Sequence, residues 1–199
     1  MTKRSRSKPK QTRALEMRQR LLDTAVHLLA QEEPLTTRAI AEAANVSIGT
    51  VYRYFDDREE ILGVLTEAMT RQVYDDLTTA VASALDRELD QATRIVVESL
   101  TSSFERNAPI LRAISERGTD PVLAQRVEET LFALARLLPT RHRPDLSPAE
   151  IDDLVFVTMG FVANGCLRIA LQRPVDGDRD AMVALAAGML SAALRQPIH

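Results

Sequence analysis

Apolar residues recur along this chain at helical spacing from Thr12 to its last turns. In Thr12–Gln31, Leu15, Leu22, Ala25, Val26 and Leu29 fall near a 3.6-residue period, with Arg13, Arg18 and Arg20 on the more polar side. Glu32-Glu33-Pro34 ends that helix, since a residue before proline is biased away from the α region. Leu35–Ile61 then predicts two short helices joined by a tight turn, followed by the start of a third. Thr36 or Thr37 caps the first, which carries Ile40, Ala41 and Ala44 on one face. Ala44-Asn45-Val46 makes the turn, with Asn45 at a left-handed position that asparagine tolerates better than most residues. Ser47 caps the second helix, Ile48–Phe55, which turns Val51 inward and Thr50, Tyr52, Arg53 and Tyr54 outward. Asp57 and Glu60 form an acidic variant of the capping box and open the third, whose Ile61, Leu62, Leu65 and Met69 face a core. A short helix after a tight turn, bearing small, polar, aromatic and basic residues, suits a DNA major groove. The pattern is a helix-turn-helix.

Helical patterns continue beyond it. Glu59–Leu85 predicts one long helix or two, and Asp90–Arg106 is amphipathic through Ile95, Val96, Leu100 and Phe104. Asn107-Ala108-Pro109 breaks that helix before a short apolar one, Ile110–Glu116. Gly118-Thr119-Asp120-Pro121 is a turn opening the helix Val122–Leu138, and Pro139–Pro144 is a polar, basic loop. Ser147-Pro148-Ala149-Glu150 combines a cap, a proline at the first helical position and a glutamate at the third. The helix it starts, Pro148–Gln172, is apolar nearly all round and so must be covered on every side. Asn164 and Arg168 interrupt it, and no uninterrupted apolar stretch reaches the ~20 residues needed to span a bilayer. Asp176–Asp180 caps a last helix, Ala181–Arg195, studded with small residues that let a partner helix approach closely. Paired with symmetry mates in a four-helix bundle, these two helices predict a homodimer. Val155, Val162, Cys166, Ala184, Ala187, Gly188 and Ser191 are its expected interface. The competing reading is an apolar hairpin buried inside one chain.

Charge sharpens the DNA reading. The 199-residue chain is 45% hydrophobic and 27% charged, a soluble globular composition, and its net charge is −3. Lys3, Arg4, Arg6, Lys8, Lys10, Arg13, Arg18 and Arg20 face Glu16 alone, so residues 1–20 carry +7 and the remainder −10. Met1–Gln11, rich in Lys, Arg, Ser and Pro, is expected to be a disordered arm that contacts DNA phosphates, or otherwise a solubilising tail. The lone Cys166 excludes an internal disulfide and any multi-cysteine metal site, and no metal or cofactor is expected. The basic N-terminus is not followed by a signal-type apolar region, so a cytoplasmic protein with no membrane partner is expected.

Ser47-Ile48-Gly49-Thr50-Val51-Tyr52-Arg53-Tyr54-Phe55 with Arg58-Glu59-Glu60-Ile61 resembles the signature of TetR-family transcriptional regulators. Ile40-Ala41 and Val46 fit the same DNA-binding domain, over about Thr12–Met69. The chain departs from the family pattern at Glu33-Pro34, where glycine is common, and at Arg58, where lysine is common. The resemblance implies an all-α protein: a three-helix DNA-binding domain at residues 12–69, and a helical effector-binding and dimerisation domain at residues 70–199. It implies that Thr37 and Arg38 touch the phosphate backbone of an operator duplex, and that Ser47, Gly49 and Thr50 form the tip of the recognition helix. Tyr52 and Tyr54 would contact backbone or bases. Arg53 would read a guanine edge, for which its fork is chemically suited. Arg58, in the first turn of its helix, is placed to meet a phosphate or stays solvated.

The resemblance further implies a small-molecule effector of unidentified chemistry, bound in the C-terminal domain. Phe104, Ile114, Phe132, Phe156 and Met159 can line a cavity, though each is also ordinary core. Phe156, Gly160, Asn164 and Arg168 share a stripe at four-residue spacing, where glycine would make room and the other two offer polar contacts. The other reading of Asn164 and Arg168 is a role in dimer contacts or intramolecular pairs. No phosphate loop, metal cluster or nucleophile elbow organises catalytic chemistry, so no catalytic residue and no enzyme is expected. The leading function is a ligand-released repressor on a palindromic operator. The alternative is a helical DNA-architectural or protein-interaction module without an effector.

Overall fold

The computed structural model of the chain describes residues 8–115 and 131–196. Among the described residues all regular structure is helical: α1 (Lys8–Ala30), α2 (Thr37–Ala43), α3 (Ile48–Tyr52), α4 (Arg58–Ala84), α5 (Leu89–Arg106), α6 (Ala108–Ser115), α7 (Leu137–His142), α8 (Pro148–Gln172) and α9 (Arg179–Arg195). This is the predicted all-α class. The chain divides into two compact units, Met1–Ala68 and Met69–His199, and α4 runs through the boundary unbroken. Most of the expected arm lies outside the described residues, and Lys8 already belongs to α1. The expected turn at Gly118–Pro121 and the start of its helix also lie outside them.

In the first unit α2 packs against α1 and α3. Its core joins Leu21, Leu22, Ala25 and Leu28 to Ile40, Val51, Phe55, Ile61 and Leu65. Leu15 is not part of it: it stands two turns before Leu22 and is 69% exposed, while Leu21 and Leu28 take the inward places. The ends of α1 and α2 close alike. Glu33 N donates to Leu28 O at 3.0 Å with Glu32 at φ 58°, and Val46 N donates to Ala41 O at 2.9 Å with Asn45 at φ 52°. Both are left-handed caps that satisfy orphan carbonyls. Glu32 therefore holds the conformation for which a glycine would ordinarily be used.

Thr36 is the cap of α2, accepting from Ala39 N at 3.0 Å. Asp57 Oδ1 accepts from Glu60 N at 2.8 Å, but the Glu60 carboxylate returns to Asp56 N rather than to the cap's own amide. The recognition helix is shorter than the predicted Ile48–Phe55, with Arg53 as its C-cap.

In the second unit α5 packs against both α8 and α9. Two prolines act as helix starts rather than stops. Pro109 lies in the first turn of α6, and Pro139 lies within α7, where a loop was predicted. A missing N–H costs nothing in a first turn, because that donor has no partner there anyway. Helix α8 matches its predicted bounds and start: Ser147 Oγ accepts from Glu150 N at 3.3 Å, and Glu150 Oε2 accepts from Ser147 N at 2.7 Å. By length and composition α8 could cross a membrane, with mean hydropathy 1.8, because Asn164 and Arg168 dilute its apolar character less than predicted. Only 17% of its apolar stretch is buried within the chain, so most of that surface faces outward.

Candidate DNA-binding surface and effector cavity

The tip of α3 is built by its cap. Ser47 Oγ accepts from Thr50 N at 3.1 Å and lies 2.9 Å from Thr50 Oγ1, fixing both hydroxyls at the helix start. Gly49 is exposed, and a Cβ there would meet nothing nearer than Ser47 Oγ at 3.9 Å. The fold does not need glycine at this position. Val51 and Phe55 are fully buried and anchor the helix, which leaves Tyr52 half-exposed and Arg53 exposed. Thr37 Oγ1 donates to the Tyr52 hydroxyl at 3.4 Å, so these two residues from different helices share one surface. Arg53 stacks its guanidinium 5.2 Å from the Tyr54 ring centre, and the exposed Arg38 pairs with Glu42 at 3.0 Å. Arg58 has its Nε buried with no hydrogen-bond partner among the described residues.

Three residues of this surface escape sequence reasoning. Ile48 is 45% exposed beside Gly49, an apolar group of the kind that meets a thymine methyl. Arg20 and Arg18, which read as generic basic side chains, brace the fold. Arg20 Nη2 donates to Ala44 O at 2.6 Å, and the Arg18 guanidinium lies 5.1 Å from the Phe55 ring centre.

The second unit holds a cavity of about 100 Å³. Its walls come from α4 (Leu77, Val81), α5, Leu131 and Ala135 of the segment before α7, α7 itself, α8 (Ala163 among others) and α9. Of the residues predicted for a pocket, Phe104 and Met159 line it. Ile114 and Phe132 are half-buried elsewhere. Phe156, Gly160, Asn164 and Arg168 are corrected outright: their stripe lies on the exposed face of α8, with Phe156 69% exposed. Residues predicted for a dimer interface move the opposite way. Val155 and Val162 line the cavity, while Cys166, Ala187 and Ser191 are buried within the unit. Cys166 Sγ lies 3.8 Å from Val97 O, and burial pushes its thiol up. Ser191 donates to the Asp90 carboxylate, which that bond and Arg195 hold below the usual range. Only Ala184 and Gly188 of that set are exposed. A helix apolar all round has no polar face to fix its rotation, so its inner and outer sides are interchanged in the sequence reading. The outer side carries Phe156, Val157 and Phe161 from α8, with Leu185 and Met189 from α9.

Arg179, read only as part of a cap, is the centre of a charged clamp. It donates to Glu98 at 2.8 Å, to Ser102 at 2.8 Å and to both oxygens of Glu105 at 2.9 Å, fastening the start of α9 to α5. Arg179 holds the Glu98 carboxyl low. Burial would raise Glu105, but bonds from Arg179 and Arg173 outweigh it and hold that carboxyl low too. Among the described residues no group of His, Cys, Asp and Glu could hold a metal.

The family model "Bacterial regulatory proteins, tetR family" matches residues 21–65. An uncharacterized HTH-type transcriptional regulator of Mycobacterium tuberculosis is 30% identical over 132 residues. The HTH-type transcriptional repressor KstR of Rhodococcus jostii is 26% identical over 140 residues. These matches cover 63% and 68% of this chain, and the chain spans 63% of each relative's length. A TetR-family transcriptional regulator from Streptomyces coelicolor has the same fold, with TM-score 0.63 and 24% identity over 91% of this chain and 97% of its own. So does the fatty acid degradation regulator FadR from Bacillus halodurans, with TM-score 0.62 and 18% identity over 90% and 97%. Residues 21–65 thus carry the helix-turn-helix of the tetR family of bacterial regulatory proteins, and the chain has the fold of TetR-family regulators of known structure.

Proposed function

We propose that the protein is a cytoplasmic, homodimeric transcriptional repressor that binds a palindromic operator and is released by a small-molecule effector. The observation that carries the DNA reading is the tip of α3. Gly49 is a glycine that its own fold does not require, between two capped hydroxyls and an exposed Tyr52 and Arg53. Absence of a Cβ there serves close approach from outside. Ser47, Gly49 and Thr50 enter the major groove, Arg53 reads a guanine, and Ile48 meets a thymine methyl. Thr37, Arg38, Tyr52, Tyr54 and Arg58 grip phosphates.

One recognition helix reads only a few base pairs, and a two-fold dimer doubles them into a palindrome. The exposed apolar face of α8 and α9 is covered by the same face of a second copy, as an isologous interface requires. Effector in the cavity displaces Leu77 and Val81 on α4, the helix that begins at the DNA-binding unit. The test is selection of duplexes from randomised DNA by the full chain. An inverted repeat is the expected product. Unselective binding replaces this reading with an architectural module, and recovery of the chain on lipid vesicles instead of as a soluble dimer assigns the α8 face to a membrane.

A further inference from the structure

The walls of the cavity in the second unit define what can occupy it. Among the described side chains that line it, only Thr158 is polar, and its hydroxyl is spent within α8, donating to Leu154 O at 2.7 Å. Among the described residues no lining side chain carries a charge, and the carboxylates Glu98 and Glu105 of α5 are engaged by Arg179. A buried charge without a counter-charge or hydrogen bonds costs several kcal/mol, so these walls select against one. Polar ligands fare little better, because a donor or acceptor brought inside loses water and finds no free partner among the described lining side chains. The volume, about 100 Å³, is of the order that stays dry and takes a single small ring or short alkyl group. Met159 and Phe104 form part of the wall, and a thioether chain adapts readily to the shape placed against it.

We propose that this cavity binds an uncharged hydrocarbon group, either a compact apolar molecule or the alkyl tail of an amphiphile whose charged end stays outside. This deepens the proposed function and rests on it for its regulatory meaning. The binding chemistry rests on the walls alone.

The experiment uses the full chain labelled with ¹³C at the methionine methyls, with Met159 assigned through Met159→Leu. Met17 in the first unit and Met189 on the outer face serve as internal controls. Benzene should move the Met159 signal saturably and leave both controls in place. N-methylpyridinium, a ring of similar size with a permanent charge, should bind about tenfold more weakly or worse. Octanoate separates the two sources: a Met159 shift assigns the site to an alkyl tail, and no shift beside a benzene response assigns it to a compact hydrocarbon. Ala163→Phe fills the space and should abolish the benzene response, with Ala135→Phe as a second filling variant on another wall should the first not fold. The proposal is overturned by a silent Met159 with benzene, by N-methylpyridinium binding as well as benzene, or by a benzene response that survives filling. DNA affinity, read in the same samples, separates this from the proposed function. A benzene response without weaker DNA binding upholds the cavity and removes its role in release, whereas operator binding without a benzene response overturns the cavity proposal and leaves the DNA reading standing.

Discussion

Arg20 in α1 donates through Nη2 to the backbone carbonyl of Ala44, 24 residues on, at 2.6 Å. Ala44 is the C-cap of α2, where carbonyls lack intrahelical partners and the helix dipole favours a cation. The bond thus fixes the turn that sets α3. Arg20→Ala should cost about 1 kcal/mol of stability, the usual worth of a charged donor at a partly exposed site, seen as a lower thermal midpoint. DNA affinity should fall to the same extent on all sequences. A change in base preference, measured on a panel of single-substituted duplexes, would instead place Arg20 on the DNA.

Arg53 should behave differently. It stacks on Tyr54 at the end of α3, with no carboxylate paired to it among the described residues. Arg53→Ala should cost roughly 1–3 kcal/mol on the selected operator and relax preference at one base pair of each half-site. Arg53→Lys should recover little, since an ammonium cannot make the paired bond to guanine O6 and N7. If a base-substitution panel and a salt titration leave affinity and selectivity unchanged, the role assigned to Arg53 is wrong.

The contrast between these arginines shows what a sequence makes legible. Ser47, Asn45 and the Ser147–Glu150 box act on neighbours within a few residues, so spacing alone identifies them. Leu15 and Leu22 share a face by periodicity, yet only one has core to pack against. Pro139 reads equally as a stop or a start until its place in the turn is known. On α8 the four-residue stripe Phe156–Arg168 is real, but an apolar helix gives no phase to say which way the stripe faces. Arg20 and Arg179 have partners 24 to 81 residues away, beyond any local pattern.

The Arg179 clamp gives a pH dependence. Glu98 and Glu105 titrate below the ordinary glutamate value of 4.5 in the folded chain. Groups depressed on folding contribute stability that is complete above the unfolded value and lost as pH falls through the folded one. Unfolding midpoints should therefore be flat with respect to this clamp above about pH 5 and drop on acidification below 4.5. Arg179→Gln should remove part of that acid sensitivity and cost roughly 1–2 kcal/mol at neutral pH, a value discounted because the clamp is partly exposed. A variant with the same acid slope as the parent would show that other carboxylates govern it.

The outer face of α8 and α9 makes the strongest demand on a partner. Phe156 and Phe161 are 69% and 73% exposed, and Leu185 and Met189 stand at 67% and 62% on the neighbouring helix. Gly188 lies among them, exposed, with nothing within 4 Å of the place where a Cβ would be, so the chain's own packing does not call for glycine there. A small residue on an otherwise large apolar surface suits a crossing point, where another helix comes close. Gly188→Glu should therefore leave the monomer fold intact while placing a charge into the interface. An interface centre of this kind is worth about 2 kcal/mol or more, roughly thirtyfold in the dimer constant. Phe161→Glu should act in the same direction through lost apolar area. Gln172→Glu, on the same helix beyond the apolar stripe, should leave assembly unchanged. Equilibrium sedimentation distinguishes the cases: monomers from the first two variants and dimers from the third are expected. An unaltered dimer in Gly188→Glu removes α9 from the interface, and with it the pairing of two recognition helices that a palindromic operator requires.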